Sequence, residues 1–238
     1  MSWFEAFYPD VRHAGGLHAA LRERLQPDVL DPIAGEPGRT GRGGLYEAAA
    51  SAGERSIGAS LGIEHRVFVG EFWEAGVCLG GYAADSLPEV ASLFERWVVR
   101  GEPASRLAAG ATAEVRLRPW AVAHESGTAA YVEFHWRELV RASRSPRLSR
   151  LARAAAEIPA LRGLLPYTGH EVLHFSRCTG YPFSYDCPSI TPLGGGRCSV
   201  ASAAGTVLGT GSAREAALLA AAHLPPGCGP ARRGAWTE

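Results

Sequence analysis

The chain contains no lysine. All 24 of its basic residues are arginine, set against 24 acidic ones in 238 positions. A Walker-type phosphate-loop lysine, a pyridoxal Schiff base and any lysine nucleophile or base supplied by this chain are therefore excluded. A GC-rich genome, which favours arginine, alanine and glycine codons, is a sufficient cause of the bias. Formal net charge is zero, so no overall field draws the protein to nucleic acid, and no nucleic-acid partner is expected. Long apolar runs are missing too. None approaches the roughly 20 residues of a membrane-crossing helix, and the opening MSWFEAFYPD lacks the basic start and apolar stretch of a signal peptide. No membrane partner and a cytoplasmic location are the expectation.

Cysteine is sparse and odd in number: Cys78, Cys178, Cys187, Cys198 and Cys228, with no CxxC pair. That suits neither a zinc ribbon nor a secreted disulfide framework, and fits free thiols in a reducing compartment. The glycine runs Gly43-Gly44 and Gly194-Gly195-Gly196 lack a strand–GxGxxG–helix context and read as turns. No cofactor is expected.

What is present suffices for a full core, as one large domain or two small packed ones, since 46% of the residues are hydrophobic. A short helix is predicted around Val11 to Leu25, then a Gly/Pro/Arg-rich loop from Asp31 to Arg42. RVFVGEFW and VCLGGYAA flank Glu74-Ala75-Gly76 as a hairpin. Ser86-x-x-Glu89 has capping-box spacing and opens a helix whose apolar face is Leu87, Val90, Ala91, Phe94, Trp97 and Val98. The C-terminal part repeats the logic. Strand-like runs at His170–Cys178, Phe183–Ile190, Arg197–Ala201 and Thr206–Thr210 precede Ser212-x-x-Glu215 and an alanine-rich helix. Between the two parts lie a short helix around Pro119 to Glu125, a strand AAYVEFHWREL, and a helix opened by Ser145-Pro146. The predicted fold is α+β, with two antiparallel-sheet-plus-helix units joined by helices and an internal duplication as one origin. Its segments are 1–65 (N-terminal helix and loop), 66–165 (first sheet-helix unit) and 166–238 (second).

His170-Glu171-Val172-Leu173-His174 spells HExxH. On a helix that spacing puts both imidazoles on one face, about 6 Å apart, where they share one zinc. On a strand the same residues stand about 13 Å apart and cannot. Gly169 and Gly180/Pro182 bracket a run of only about ten residues, and Leu173 and Phe175 alternate with His174 and Ser176, so a strand is favoured. No downstream third ligand precedes Asp186, and no metal is expected, with a zinc hydrolase kept as an alternative.

As a strand, the segment turns His170, His174, Ser176 and Cys178 to one face and Glu171, Leu173, Phe175 and Arg177 to the other. If the polar face lines a cleft, His174 would transfer protons, Cys178 would act as nucleophile, and Tyr185 or Asp186 would complete the acid–base pair. Arg177 would anchor a substrate carboxylate, with Ser176 and His170 as further binding groups. The plainer reading is of hydrogen-bonded strand histidines and a buried thiol. His124-Glu125 and His135 are lesser candidates from the middle segment. Arg141, Arg144, Arg147, Arg150 and Arg153 recur every third residue, either as an anion-binding ridge or as a solvated helix face.

LPYTGHEVLHFSRCTGYPFSYDCPSITPL, with the ending HLPPGCGP, resembles a family of unknown function labelled in actinobacterial genomes as natural product biosynthesis proteins. The resemblance runs from about Arg66 to Pro230, and its distinctive pieces are Pro166-Tyr167-Thr168, Phe175 to Gly180, and Gly227 to Pro230. The family's segment reads closer to SHxxLHFSRCTGxP, with no fixed glutamate where Glu171 stands, which weakens the zinc reading further. The label implies a pathway and no reaction. The expected function is a cofactor-independent tailoring protein acting on a small molecule or peptide by cyclisation, dehydration or isomerisation, alongside other pathway enzymes. The alternative is a non-catalytic protein that binds a precursor, partner enzyme or product through the arginine ridge and exposed Trp3, Trp73 or Trp136.

Overall fold

The computed structural model describes residues 3–26, 29–30, 44–142 and 145–237. The predicted loop Asp31 to Arg42 and Arg144 lie outside them. The chain divides into two compact units, Met1–Glu74 with Cys78–Glu125, and Ala75–Val77 with Ser126–Glu238. Each holds a five-stranded sheet whose strands follow in chain order, so the α+β expectation with two antiparallel sheets is met. The predicted boundary at 165/166 falls inside the second unit, and residues 1–65 already contain two strands of the first sheet.

In the first unit, α1 (Trp3–Phe7), α2 (Pro9–His13) and α3 (Leu17–Arg22) replace the single predicted helix. Gly15 and Gly16 break it, at φ 90° and 132°, a backbone region that glycine enters freely. The strands are β1 (Glu47–Ala52), β2 (Arg55–Leu61), β3 (Phe68–Glu74), β4 (Val77–Ala84) and β5 (Glu114–Leu117). β3 and β4 form the expected hairpin. Its turn residues Ala75 and Gly76 have φ 52° and 75°, the positive φ at both positions that a two-residue turn matching the right-handed twist of its strands requires. α4 (Leu87–Phe94) runs into one π turn, Glu95–Val99. At its start the Ser86 hydroxyl accepts from the Glu89 amide at 3.4 Å while the Glu89 carboxylate accepts from the Ser86 amide at 3.1 Å, the reciprocal cap read from the sequence. Leu87, Val90, Phe94 and Trp97 are all buried. α5 (Ala104–Gly110) and α6 (Ala121–Glu125) complete the unit.

The first core holds one buried polar chain. Arg55 Nε donates to Glu74 Oε1 at 2.8 Å and its Nη1 to the Glu102 carbonyl at 2.8 Å, while its guanidinium lies 4.4 Å over the Trp97 ring. His124 Nε2 sits 3.2 Å from the other Glu74 oxygen. A buried charge held this way has a partner at each end.

The second unit opens with α7 (Thr128–Ala142), where a strand was expected. Tyr131, Val132 and Trp136 are buried together, and burial of adjacent residues is a helical pattern that a two-faced strand cannot produce. Trp136 is therefore core and not an exposed recognition residue. α8 (Pro146–Ala156) starts at Ser145, whose hydroxyl accepts from the Leu148 amide, and α9 (Pro159–Arg162) follows. The arginine ridge is divided: Arg141 ends α7 and Arg147, Arg150 and Arg153 lie on α8.

The second sheet is β6 (Leu165–Gly169), β7 (Val172–Ser176), β8 (Ser189–Pro192), β9 (Arg197–Ala201) and β10 (Val207–Ser212), with one 3-10 turn at Gly194–Gly196. Of the predicted strand Phe183–Ile190, only Ser189 and Ile190 are strand, and the rest is an irregular connection. α10 (Ala213–Ala222) follows β10, opened by the expected Ser212/Glu215 capping box. Leu173, Phe175, Ile190 and Val200 on the sheet, Leu151 and Ala152 on α8, and Ala217 and Ala220 on α10 are buried. At about 1.5–3 kcal/mol for each large side chain, this contact carries the unit. Among the described residues no helix is long and apolar enough to cross a membrane.

Candidate functional site

Gly169 pairs with Val172 across the β6–β7 hairpin, so His170 and Glu171 are its two turn residues. Their φ values of 49° and 64° are left-handed, and neither side chain favours that region. HExxH therefore spans a turn and a strand. The helical geometry that would bring His170 and His174 to one ion is absent, and no group of three or more His, Cys, Asp or Glu able to hold a metal occurs among the described residues. His170 also leaves the strand face on which it was expected beside His174.

Past the turn the predicted alternation holds. Leu173 and Phe175 enter the core, and His174 faces outward, paired directly with Tyr167 of β6. The two rings stack at 5.0 Å and 17°. Phe183 continues the stack 4.6 Å from Tyr167, and Tyr181 meets Phe183 edge-on at 6.1 Å. Tyr181 and Tyr185 are 64% and 61% exposed. The result is a surface of five aromatic rings, three half-buried (Tyr167 and His174 on strands, Phe183 in the connection) and two open to solvent. Burial holds His174 below its ordinary pKa, so the ring is neutral at pH 7. Burial, then the neighbouring Tyr185, Cys187 and Cys178, pushes Tyr167 up to about 12.

The connection from β7 to β8 carries Phe183 and Tyr181 and is wired tightly to itself. The Ser176 hydroxyl donates to the Cys178 carbonyl at 2.8 Å and accepts from the amides of Cys178 and Ser184 at 3.1 and 3.2 Å. Ser184 Oγ in turn accepts from the Arg177 amide at 2.9 Å. The C-terminal segment closes over the same loop: Gly180 donates to the Gly234 carbonyl at 2.7 Å, Thr179 to Arg232 at 3.0 Å, and Trp236 to Pro182 at 2.8 Å. Gly180 has no alternative, because a methyl group there would lie 2.0 Å from the Ala75 carbonyl.

This wiring decides several expected roles. Ser176 and Cys178 are 0% and 2% exposed. The Cys178 thiol points at the Gly180 and Pro182 carbonyls, 3.5 and 3.6 Å away. Both side chains are spent on bonds within the loop. Arg177 Nη1 binds Asp186 Oδ2 at 2.7 Å, and its guanidinium lies 5.0 Å over the Trp236 ring. Burial alone would raise the Asp186 carboxyl, but hydrogen bonds from Arg177 and Ser184 outweigh it and hold the group below the usual range. The structure thus brings Arg177 and Asp186 together, gathers His174 with Tyr167 and Phe183, and removes Cys178 and Ser176 from reach of a substrate. His124 is a buried core residue of the first unit and His135 a half-buried residue of the second; burial lowers His135 to about 4.

Tyr167, Tyr181, Phe183 and Trp236 were missed as site residues. The hairpin register would have found Tyr167, since any turn at Gly169–Val172 sets it opposite His174. The other three are positioned by loop hydrogen bonds that leave no periodic mark. The first unit also has a cleft, about 470 Å³, lined by Gly81, Tyr82, Arg116, Arg118, Glu71 and Glu114. Its arginines are matched by carboxylates, Arg118 to Glu71 at 3.0 Å and Arg116 to Glu114 at 2.7 Å, so it offers a ligand no unpaired cation.

Fold and site together define an α+β protein with a surface aromatic platform. A family of unknown function, DUF6193, matches residues 130–235. The match lies wholly within the second unit, carries the platform and its loop, and starts well after Arg66. No curated protein and no solved structure matches the chain.

Proposed function

We propose that the second unit is a recognition module that takes an aromatic side chain of a peptide onto the Tyr167–His174–Phe183–Tyr181 platform, in a natural-product pathway. The observation that carries this reading is the continuous ring contact from His174 to the exposed Tyr181. Rings already held in place by strand pairing and loop hydrogen bonds lose little entropy when a further ring stacks on them. The pathway assignment rests on the resemblance of the FSRCTG and GCGP segments. Titration with a short tyrosine-containing peptide, followed by amide chemical shifts, tests the reading. Saturable shifts at residues 167, 174, 181 and 183 are expected, weakened about 2–10-fold by Tyr181→Ala or by leucine in the peptide, as one ring pair is worth about 0.5–1.5 kcal/mol. Equal response to the leucine peptide would overturn it.

A tailoring enzyme on the same surface is the second reading, supported by His174. A neutral, half-buried imidazole beside a binding platform can accept a proton at pH 7, as cyclisation, dehydration or isomerisation requires. His174→Phe separates the two, because it keeps a ring in the stack and removes the base. Product lost with peptide binding retained supports catalysis; product retained supports recognition alone.

A further inference from the structure

The polar face of α8 is charged against the helix that carries it. Between its cap Ser145 and its last residue Ala156, the helix holds Arg147, Arg150 and Arg153 and no acid. All three are exposed, and among the described residues none of them pairs with a carboxylate. Elsewhere arginines are matched on their own surface, as Arg66 is with Asp10, Arg96 with Glu102 and Arg118 with Glu71. The order of charge along α8 is also reversed. A helix start carries positive partial charge and favours acids, while its end favours bases. Only Arg153 suits its place. Arg147 stands in the first turn, and the first acid, Glu157, is the C-cap, where Arg214 of α10 lies 3.6 Å from it. A single-sign face that works against the helix dipole lowers the stability of the protein alone, and such a local conflict marks a face that another molecule completes.

We propose that the Arg147–Arg150–Arg153 row is a docking surface for an acidic polypeptide segment whose carboxylates stand one helical turn apart. Successive arginines are three residues apart, with about 5–6 Å between their Cβ atoms, and the row runs about 9 Å along the helix. Carboxylates at i and i+3 or i+4 of a partner helix have the same spacing. Each planar guanidinium can meet one with two parallel bonds. The opposite side of α8 is spent on the core, where Leu148, Leu151 and Ala155 are buried. That core lies on the sheet face of Leu173 and Phe175, so the sheet separates the row from the His174 platform. Nucleic acid fits the row less well, because tight backbone binding draws on about 6–10 phosphate contacts and the chain as a whole is neutral. A membrane surface fits less well too. Basic clusters that hold one carry about 4–8 Lys or Arg, and none of the exposed large apolar residues lies on α8.

The test titrates the full chain with an end-blocked, alanine-based peptide bearing glutamates one helical turn apart, beside its glutamine counterpart, and follows amide chemical shifts. Neither peptide has an aromatic ring, so the platform takes no part in the result. Saturable shifts at residues 145–156 with the glutamate peptide alone are expected. They should fade as salt rises from about 0.1 M to about 1 M, where the screening length shrinks from about 10 to about 3 Å. Arg150→Gln, at an exposed position, should weaken binding about 2–5-fold. Arg147→Glu should abolish it and raise the thermal midpoint, because an acid suits the first turn. If that variant fails to fold, Arg150→Gln still decides. Equal response to both peptides, no response, or shifts outside α8 overturns the proposal. Tighter binding at α8 of a single-stranded oligonucleotide or of phosphatidylserine vesicles also overturns it, by giving the row to a different partner.

Discussion

The two units build the same sheet and do different things with its connections. Both order five antiparallel strands consecutively, and both open a helix with a Ser/Glu capping box. In the first, α4 and α5 fall between β4 and β5; in the second, α10 follows β10. The sheet plan is shared, and the helices are placed differently around it. The sharper contrast is between loops. The first unit joins β1 to β2 and β3 to β4 by tight turns and spends its buried charge inside, on Arg55, Glu74 and His124. The second leaves β7 and β8 joined by an irregular connection from Arg177 to Pro188 and invests its hydrogen bonds there. Long connections that are nonetheless fixed are where binding groups are usually presented.

The largest expected effects test whether the two cores are separate. Trp97 and Trp136 are each 0% exposed. Trp97 Nε1 donates to the Ser56 carbonyl at 3.0 Å, and Trp136 Nε1 to the carbonyls of Arg162 and Leu164, both at 3.0 Å. Alanine at either position removes a large buried ring and a donor, a loss of about 3–5 kcal/mol. Trp136→Ala should speed amide exchange in β6–β10 and leave β1–β5 protected, with Trp97→Ala the converse. Equal loosening of both sheets by either variant would erase the distinction between units.

Sequence patterns disclosed much of this frame and little of the site. Capping boxes and period-two alternation are local, so both capped helices, the β3–β4 hairpin and the strand at Leu173 to Ser176 were legible. AAYVEFHWREL was not, because its aromatic and β-branched residues favour strands locally while tertiary burial of Tyr131, Val132 and Trp136 selects the helix. The His170-Glu171 turn was hidden for another reason: two-residue hairpin turns usually announce themselves with Asn or Gly, and here the left-handed positions carry neither. The platform depends on Phe183 and Tyr181, which loop hydrogen bonds position through partners some fifty residues away in sequence, such as Gly234 and Trp236.

The next effect contrasts one histidine from each unit, His124 buried and His135 half-buried. His124 faces a carboxylate, whereas His135 packs against the Tyr131 and Phe134 rings at 4.5 and 5.7 Å. Burial lowers His135 from 6.5 to about 4. Above pH 6.5 the ring is neutral in both folded and unfolded chains. Below it, the unfolded chain takes a proton that the folded one refuses, so stability falls from about pH 6.5 down to about pH 4, by up to about 3 kcal/mol. Denaturation midpoints across that window should flatten in His135→Leu. An unchanged slope would mean that the decline belongs to other groups.

The smallest effect compares one acid–arginine pair from each unit. Arg66 grips Asp10 with two bonds of 2.8 and 2.9 Å, and Arg177 binds Asp186 with one of 2.7 Å. Hydrogen bonding from Arg66 lowers Asp10, and at Asp186 Arg177 and Ser184 overcome the opposing effect of burial. A lowered carboxyl contributes stability above the unfolded value, near pH 4, and loses it as pH falls through the folded one. Both pairs are partly exposed, so Asp10→Asn and Asp186→Asn should each lose less than about 1 kcal/mol at pH 7 and match the unsubstituted protein near pH 2. Function should part them. Asp186→Asn frees the Arg177 guanidinium beside the platform, so a tyrosine peptide ending in a free carboxylate should bind more tightly than its amide, while Asp10→Asn leaves that ratio unchanged. If Asp186→Asn weakens both peptides equally, the pair serves to hold the loop, and the platform binds through its rings alone.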